Sequence, residues 1–171
     1  MTITIDSTFS VYQLLQRIQQ EPLTLRDRAS MTRISYTIED ATRLNRARNR
    51  IFVGFQRYSK MLPQVQRYRE IIPFAESVYV FGVPDVELPA LERVVYVPLA
   101  PNDYLSKEWF VISAGPQFNS ALCSNERTQI DDPDASRRFE GLWTFNQEMV
   151  DILQNWLSSA VDAQPLANHT R

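Results

Sequence analysis

Residues 137–145 read RRFEGLWTF, and the run NQEMVDILQNWL follows directly at residues 146–157. The end of the first run, LWTF, predicts a short strand, and the second run predicts an amphipathic helix that closes the domain. Gly141 stands between large aromatic side chains, where a missing side chain permits a bend or the close approach of a neighbouring backbone or ligand. In an extended chain, one face of this strand would carry Phe139, Gly141, Trp143 and Phe145.

Glu140 is the single acid within RRFEGLWTF. Burying one charge without a partner is costly, so we expect an arginine close to it, and Arg137 and Arg138 are the nearest candidates in the sequence. We therefore expect Glu140 and Gly141 to lock the last strand against its neighbours and to set where the final helix leaves the sheet.

Hydrophobic periodicity and turn residues predict the remaining elements. Two helices come first: Ser10 and Gln13 form a candidate capping box in the first, and Pro22 separates it from the second. The predicted helices span residues 9–20, 26–49, 59–71 and 146–161, and the predicted strands span residues 51–56, 77–83, 93–99, 108–114, 118–124 and 142–145. The pattern indicates an α+β domain.

Length and composition are those of one ordinary globular domain, with 171 residues, 44% hydrophobic and 22% charged. We place the domain at residues 8–161 and expect residues 162–171 to form a flexible C-terminal tail. The sequence contains no apolar run of about 18 residues, no secretory signal and one cysteine, which excludes an internal disulfide. We therefore expect a cytoplasmic protein that does not enter a membrane.

Charge is unevenly distributed along the chain. Residues 1–70 hold 12 basic and 6 acidic residues, for +6, and residues 71–171 hold 6 and 14, for −8, which together give the net charge of −2. Sixteen of the 18 basic residues are arginine, which favours fixed ion pairs. We expect the two halves to pair with each other or with the same halves of a second copy.

The sequence shows no catalytic constellation. The only histidine, His169, lies in the predicted tail, and Cys123 lies in an apolar run where a free cysteine is expected in the core. The acidic residues around Pro133 lack the glycine and terminal glutamate of a calcium-binding loop. We predict no enzyme, no catalytic residue and no metal site, and the sequence identifies no cofactor. An enzyme using Glu140 or Cys123 would need Glu140 in an open pocket.

Residues 55–69 interleave aromatic side chains with Arg57, Lys60, Arg67 and Arg69. Arginines among aromatic residues can stack single-stranded bases, so a nucleic-acid-associated regulator is the alternative function. The same residues can pack an amphipathic helix and pair with the acidic second half. Because the whole chain is mildly acidic and would be repelled by phosphate outside this patch, we favour the structural role.

Several motifs together resemble one family. They are SMTRISYTIED at 30–40, VGFQRYSKMLPQVQRYR at 53–69, YVFGVPD at 79–85, VPLAPNDYLSKEWFVISAGPQFNSALCSNE at 97–126 and RRFEGLWTF at 137–145. In this order they resemble the DICT domain, the sensory module named for diguanylate cyclases and two-component systems, over most of residues 8–160. The combination is far more specific than any one of its parts.

The resemblance implies an α+β sensory domain around an antiparallel sheet. We expect about four to six strands, two N-terminal helices, one helix after the first strand and a C-terminal amphipathic helix, with a fold-level analogy to GAF-type sensors. Family members are usually attached to signalling outputs in bacteria and archaea, and a role in light response has been proposed. No output domain follows here, so we expect a stand-alone copy that signals through a protein partner or a homodimer.

Two groups of residues are candidates for these functions. The apolar stripe of the last helix would form a dimer contact through Met149, Ile152, Leu153, Trp156 and Leu157. A ligand or a light-related cue would be sensed near Gly141, at Phe81, Trp109, Phe139, Glu140, Gly141 and Trp143. An ordinary aromatic core is the alternative interpretation of the second group.

Overall fold

The computed structural model describes residues 4–19, 21–45 and 48–169, of which residues 45 and 162–169 are described as backbone only. The helices are α1 Val11–Ile18, α2 Arg28–Asn45, α3 Tyr58–Met61, α4 Val65–Ile71 and α5 Gln147–His169. The strands are β1 Thr24–Asp27, β2 Arg50–Arg57, β3 Ser77–Val83, β4 Val94–Pro98, β5 Glu108–Ala114, β6 Asn119–Glu126 and β7 Arg138–Thr144. The α+β class is confirmed.

The sheet is mixed, with the strand order β1-β7-β6-β5-β2-β3-β4. Strands β2, β3 and β4 run parallel, whereas the pairs β1–β7, β7–β6, β6–β5 and β5–β2 run antiparallel. The expectation of an antiparallel sheet of four to six strands is therefore wrong in direction and in number. The helical connection through α3 and α4 brings the chain back to the same end of the sheet, so β3 must start parallel to β2.

Helices cover both faces of the sheet. On one face, α1 and α5 pack over a core that includes Phe52, Phe81, Phe110 and Leu153. On the other face, α2 and α4 pack over a second core that includes Met31, Tyr68 and Phe139. Because both faces are covered, the central strands are buried on both sides, which explains their nearly continuous apolar runs.

Two side chains accept hydrogen bonds at the start of α1. Ser10 was predicted to do so, and Glu108 was not. Ser10 Oγ accepts a hydrogen bond from the Gln13 amide at 3.0 Å, as expected of an N-cap. A second acceptor comes from β5: Glu108 accepts from the Ser10 hydroxyl at 2.6 Å and from the Tyr12 amide at 2.8 Å. Helix α1 is thereby attached to the sheet at its first turn.

Strand β7 confirms the alternation expected around Gly141. Phe139 and Trp143 lie on the α2 face and Leu142 lies on the α5 face. A Cβ atom on Gly141 would lie 1.9 Å from the carbonyl oxygen of Cys123 in β6, so the close neighbour is backbone. Gly141 lets β6 and β7 approach each other, which a side chain at this position would prevent.

Helix α5 starts one residue later and ends later than its apolar stripe predicted, because its backbone continues to His169. The prediction of a flexible tail at 162–171 stays a prediction, and the side chain of His169 lies outside the described residues. Among the helices within the described ranges, none is both long enough and apolar enough to cross a membrane.

Candidate functional site

A cavity of about 230 Å³ lies between α2 and the sheet, where the end of β2 meets the start of β5. It is lined by Arg28, Thr32, Ser35, Tyr36, Glu39, Phe55, Gln56, Lys60, Gln64, Trp109, Val111 and Arg137. One side is therefore helical and the other is the sheet, and polar side chains from both contribute to the lining.

A buried ion pair between Arg137 and Glu126 forms the wall of the cavity next to Gln56. The side chains of Arg137 and Glu126 are only 1% and 2% exposed, and two hydrogen bonds of 2.9 Å join Arg137 Nε and Nη2 to the two carboxylate oxygens of Glu126. Burial raises the pKa of Glu126, but hydrogen bonds from Arg137, Thr128 and Gln56 outweigh it and leave the pKa below its ordinary value. This carboxylate stays charged.

Gln56 completes this network through an unusual backbone conformation. Its amide nitrogen donates to Glu126 at 3.0 Å and its amide oxygen accepts from Arg137 Nη2 at 2.8 Å. The pairing of β2 with β3 shifts between Gly54 and Gln56, and Gln56 has a φ of 70°. A positive φ is costly for a residue with a Cβ, so the bulge is held by the surrounding contacts. It aims the amide at the ion pair.

Glu39 on α2 is a second buried carboxylate at this cavity. It accepts hydrogen bonds from Arg67 Nη1 and from the Tyr68 hydroxyl, and the Arg67 guanidinium also stacks on the Tyr36 ring at 3.8 Å. Burial raises the pKa of Glu39 to about 7, although the charge of Arg67 opposes the rise. Near neutral pH this carboxyl group is therefore partly protonated.

Aromatic side chains form the rest of the wall. The Trp109 indole donates to Ser35 Oγ at 3.0 Å, and its ring meets Phe139 edge-on at 5.1 Å between centroids. The Arg137 guanidinium lies 5.1 Å from the Phe139 ring. Trp109 is thus held rigidly between the helix and the polar network.

This arrangement is suited to binding a small molecule. Apolar walls with a few convergent hydrogen-bonding groups are the usual form of a ligand pocket. Ser35 in the lining accepts a hydrogen bond from Trp109, and no hydrogen bond joins its hydroxyl to a base among the described residues. Within the ranges that the structure describes, no three His, Cys, Asp or Glu residues lie close enough together to hold a metal ion.

Of the six predicted ligand residues, Trp109 lines this cavity. Phe139 packs behind Trp109, and Trp143 lies on the same face of the sheet. Phe81 lies on the opposite face, 5.5 Å from Phe110 between ring centroids. The structure therefore does not bring the six residues into one site, and their role in ligand binding stays a prediction.

The predicted partner of Glu140 is wrong. Glu140 pairs with Arg127 at 2.5 Å and accepts a hydrogen bond from the Tyr12 hydroxyl at 2.5 Å. Arg137 instead turns to the α2 face and binds Glu126. Glu140 and Arg137 are three residues apart on an extended chain, so their side chains point to opposite faces of the sheet.

The four predicted nucleic-acid or partner contacts do not share one basic face. Arg57 forms an ion pair with Asp131 at 2.8 Å, Lys60 lines the cavity, and Arg67 binds Glu39 and Asp40. Arg69 is exposed. The Arg57–Asp131 pair joins the basic and acidic halves as expected, whereas the pairs of Arg67 lie within the first half.

In the predicted dimer stripe, Leu153 and Leu157 are buried against the chain's own sheet. Trp156 packs on Phe9 at 4.6 Å between ring centroids, and Met149 is partly buried. Ile152 is 39% exposed. Most of the stripe thus serves the core of one chain, and its role in a dimer stays a prediction.

A family model describes residues 8–127 as a DICT domain, the sensory domain in diguanylate cyclases and two-component systems. The match covers more than half of the chain. The chain belongs to the DICT family. No curated protein and no solved structure shows significant similarity to it.

The DICT match contains every residue that lines the cavity except Arg137. It ends before β7 and α5, so RRFEGLWTF lies outside the matched residues, although β7 supplies a strand inside the sheet. A DICT domain is a sensory domain, which supports a sensory role and gives no indication of catalysis.

Sequence reasoning missed the network of Gln56, Glu126 and Arg137. One signal was available, because Glu126 and Arg137 stand near the two ends of the predicted surface loop at 126–138. An acid and a base at the ends of such a loop can meet where it closes between paired strands. The contribution of Gln56 had no such signal, since it depends on the strand order.

Proposed function

We propose that this chain is a non-enzymatic sensory module that binds a small ligand in the cavity between α2 and the sheet, and passes the bound state on through protein contacts. The observation that carries the proposal is the buried, hydrogen-bonded set of Glu39, Gln56 and Arg137 at the wall of an aromatic cavity. Pre-arranged polar groups in an apolar pocket fix the orientation of a ligand at little entropic cost.

A planar aromatic ligand fits this cavity best. Arg137 is already neutralised by Glu126, so its charge is not available to an anion, whereas Lys60 in the lining has no ion-pair partner within the described ranges. Trp109 and Phe55 offer aromatic surfaces for a planar ring. A chromophore would be a ligand of this kind, and light would then be the signal that the domain senses.

Helix α2 is the element through which binding would reach the surface. Its inner side supplies Ser35, Tyr36 and Glu39 to the cavity wall, and its exposed side carries Leu44, which is 73% exposed. A ligand that shifts α2 changes the surface offered to a signalling partner. A second copy would bind where α5 leaves Ile152 exposed, beside the partly buried Met149.

Native mass spectrometry of protein purified gently from its own host, together with an absorbance spectrum, tests ligand binding. We expect a non-peptide mass on the wild-type chain, and visible absorbance if the ligand is a chromophore. Thr32→Trp should plug the cavity from its partly exposed helical side and remove that mass. The control is Thr37→Trp on the exposed side of α2, which should retain it. A bare wild-type chain, or equal loading of both variants, contradicts the proposal.

Sedimentation velocity tests the contact between copies. Ile152→Lys should shift a dimer toward monomer, because it places a charge in an apolar contact. Asn155→Lys, which changes an exposed residue of the same helix, should leave the distribution unchanged. A wild-type chain that stays monomeric at tens of micromolar without a partner protein would argue against transmission through this face.

A further inference from the structure

A second cavity, of about 470 Å³, lies on the other side of the network of Gln56, Glu126 and Arg137. It sits outside the carboxyl ends of β2 and β3, at Arg57 and Val83. The chain runs from β2 to β3 and β4 in one direction and then crosses back to β5 on the other side of β2. In open α/β sheets, ligands bind outside the carboxyl ends of the parallel strands, and here β2 and β3 are parallel whereas β5 runs antiparallel to β2.

Three polar side chains that line this cavity have no hydrogen-bond partner in the part of the chain that the structure describes. Lys107, Asn125 and Gln129 make no side-chain hydrogen bond to any residue within the described ranges, and Lys107 forms no ion pair with one. They come from three separate places: the connection before β5, the end of β6 and the loop after it. Their donors are therefore available to a ligand.

The rim of the cavity carries two arginines that are held in place from outside. Asp131 holds Arg57 and Glu140 holds Arg127, and neither carboxylate lines the cavity. The acid in the wall, Glu126, is neutralised by Arg137 from behind. Each of these ion pairs is neutral overall, so Lys107 is the one charged residue of the lining that has no ion-pair partner within the described ranges. Arginines fixed in advance still offer hydrogen-bond donors to an anion with less loss of side-chain entropy.

We infer that this cavity binds a small organic anion. Lys107 and the amides of Asn125 and Gln129 would hold its oxyanion group, and Arg57 and Arg127 would add hydrogen-bond donors at the rim. Val83 and Ile130 would contact the remainder of the molecule, since they also line the cavity. Phosphate esters and dicarboxylates share this oxyanion chemistry.

This site is distinct from the cavity below α2, although Gln56 lines both. The cavity below α2 has aromatic walls, whereas no aromatic side chain is among the described residues that line this one. The two ligands would differ in aromatic surface, and either site could be occupied without the other.

Isothermal titration calorimetry with glycerol 3-phosphate and with glutarate tests the inference, and glycerol is the neutral control. We expect at least one anion to bind, with an affinity that falls as salt is added. Lys107→Gln should weaken that binding at least tenfold. Arg17→Gln, which removes a charge from the exposed side of α1, should leave it unchanged.

Binding of the ester or of the dicarboxylate supports the inference and identifies whether the cavity prefers a phosphate or a carboxylate. If neither binds better than glycerol, or if Lys107→Gln binds as tightly as the wild type, the inference is overturned. Thr32→Trp should keep its anion binding, because the residue lies in the other cavity. Loss of the ligand below α2 with anion binding retained would therefore separate the two proposals.

Discussion

Two glutamates on neighbouring strands are both buried, and the loss of hydration of their carboxylates is compensated in different ways. Glu126 in β6 lies against Arg137 on the α2 face, and its pKa is below the ordinary value. Glu108 in β5 is 1% exposed and accepts hydrogen bonds from neutral donors at the start of α1, namely the Ser10 hydroxyl and the Tyr12 amide. Burial raises the pKa of Glu108 to about 7.

The difference shows that neutral donors alone do not offset the loss of hydration that a full cation offsets. The two groups therefore affect stability in opposite directions as the pH changes. Glu126 stabilises the fold above its ordinary pKa of 4.5, and that stability is lost as the pH falls through its lower folded pKa. Glu108 binds its proton more tightly in the folded state, so stability falls as the pH rises from about 4.5 to about 7.

The largest loss of stability is expected from removing Arg137, the cation of the Arg137–Glu126 pair. Arg137→Met leaves Glu126 buried without its counter-charge, and we expect a loss of about 3 to 5 kcal/mol in the free energy of unfolding. Urea unfolding followed by tryptophan fluorescence measures it.

Two further variants isolate the charge in this experiment. Arg137→Met combined with Glu126→Gln should recover most of the loss, because no uncompensated charge remains. Arg138→Met changes the neighbouring arginine, which donates to backbone carbonyls and has no carboxylate within ion-pair distance among the described residues, and should cost less than about 1 kcal/mol. A loss in Arg137→Met no larger than that of Arg138→Met would show that the pair is not what stabilises this end of the sheet.

The next largest effect is expected on the pH dependence of the free energy of unfolding, to which Glu108 contributes. Glu108→Gln keeps an acceptor for the Tyr12 amide and removes the titration. A pKa shift from 4.5 to about 7 corresponds to on the order of 3 kcal/mol of stability lost from roughly pH 5 to pH 8. In Glu108→Gln that decline should be smaller by this amount, measured by urea unfolding at several pH values.

Part of the decline should remain in Glu108→Gln, because burial also raises the pKa of Glu39 to about 7. Glu87→Gln, at an exposed position, is the control and should follow the wild-type curve. If Glu108→Gln shows the same pH dependence as the wild type, Glu108 is ionised throughout this range and the comparison with Glu126 fails.

The smallest effect is expected at the half-exposed carboxylate near α1. Tyr12→Phe removes the hydroxyl that donates to Glu140 and leaves the packed ring in place. The Arg127–Glu140 pair remains and water can replace the hydroxyl, so we expect a loss of about 1 kcal/mol or less. Tyr104→Phe is the matched control at a residue that is 46% exposed. A loss above that of Arg137→Met would place the main anchor of α1 at Glu140.

The elements with strong periodicity were predictable from the sequence. The predicted bounds of β3 and β5 agree with the observed strands, and Ser10 caps α1 as expected. The short strand β1 was missed, because its four residues follow Pro22 closely and are mostly exposed, so they carry no alternating pattern. Strand β7 begins at Arg138, earlier than predicted. Its first residues include the polar Arg138 and Glu140, which the apolar pattern did not assign to the strand.

The candidate site was mostly beyond prediction. Trp109 was named, whereas Gln56, Glu39 and Arg137 were not named as parts of a ligand site. Gln56 contacts Glu126 across 70 positions of sequence and Arg137 across 81. Such contacts depend on which strands are neighbours, and local patterns contain no information about neighbours that are distant in the chain.

By itself, the sequence determined most of the helices and strands with strong periodicity and that Gly141 permits a close neighbour, because side-chain periodicity and glycine geometry are local properties. The tertiary structure alone decided the direction of β3 and β4, the partners of Glu140 and Arg137, and the two cavities on either side of Gln56. The physical reason is that the pairing of charges and the shape of cavities depend on the order and the faces of strands that meet only in the folded state.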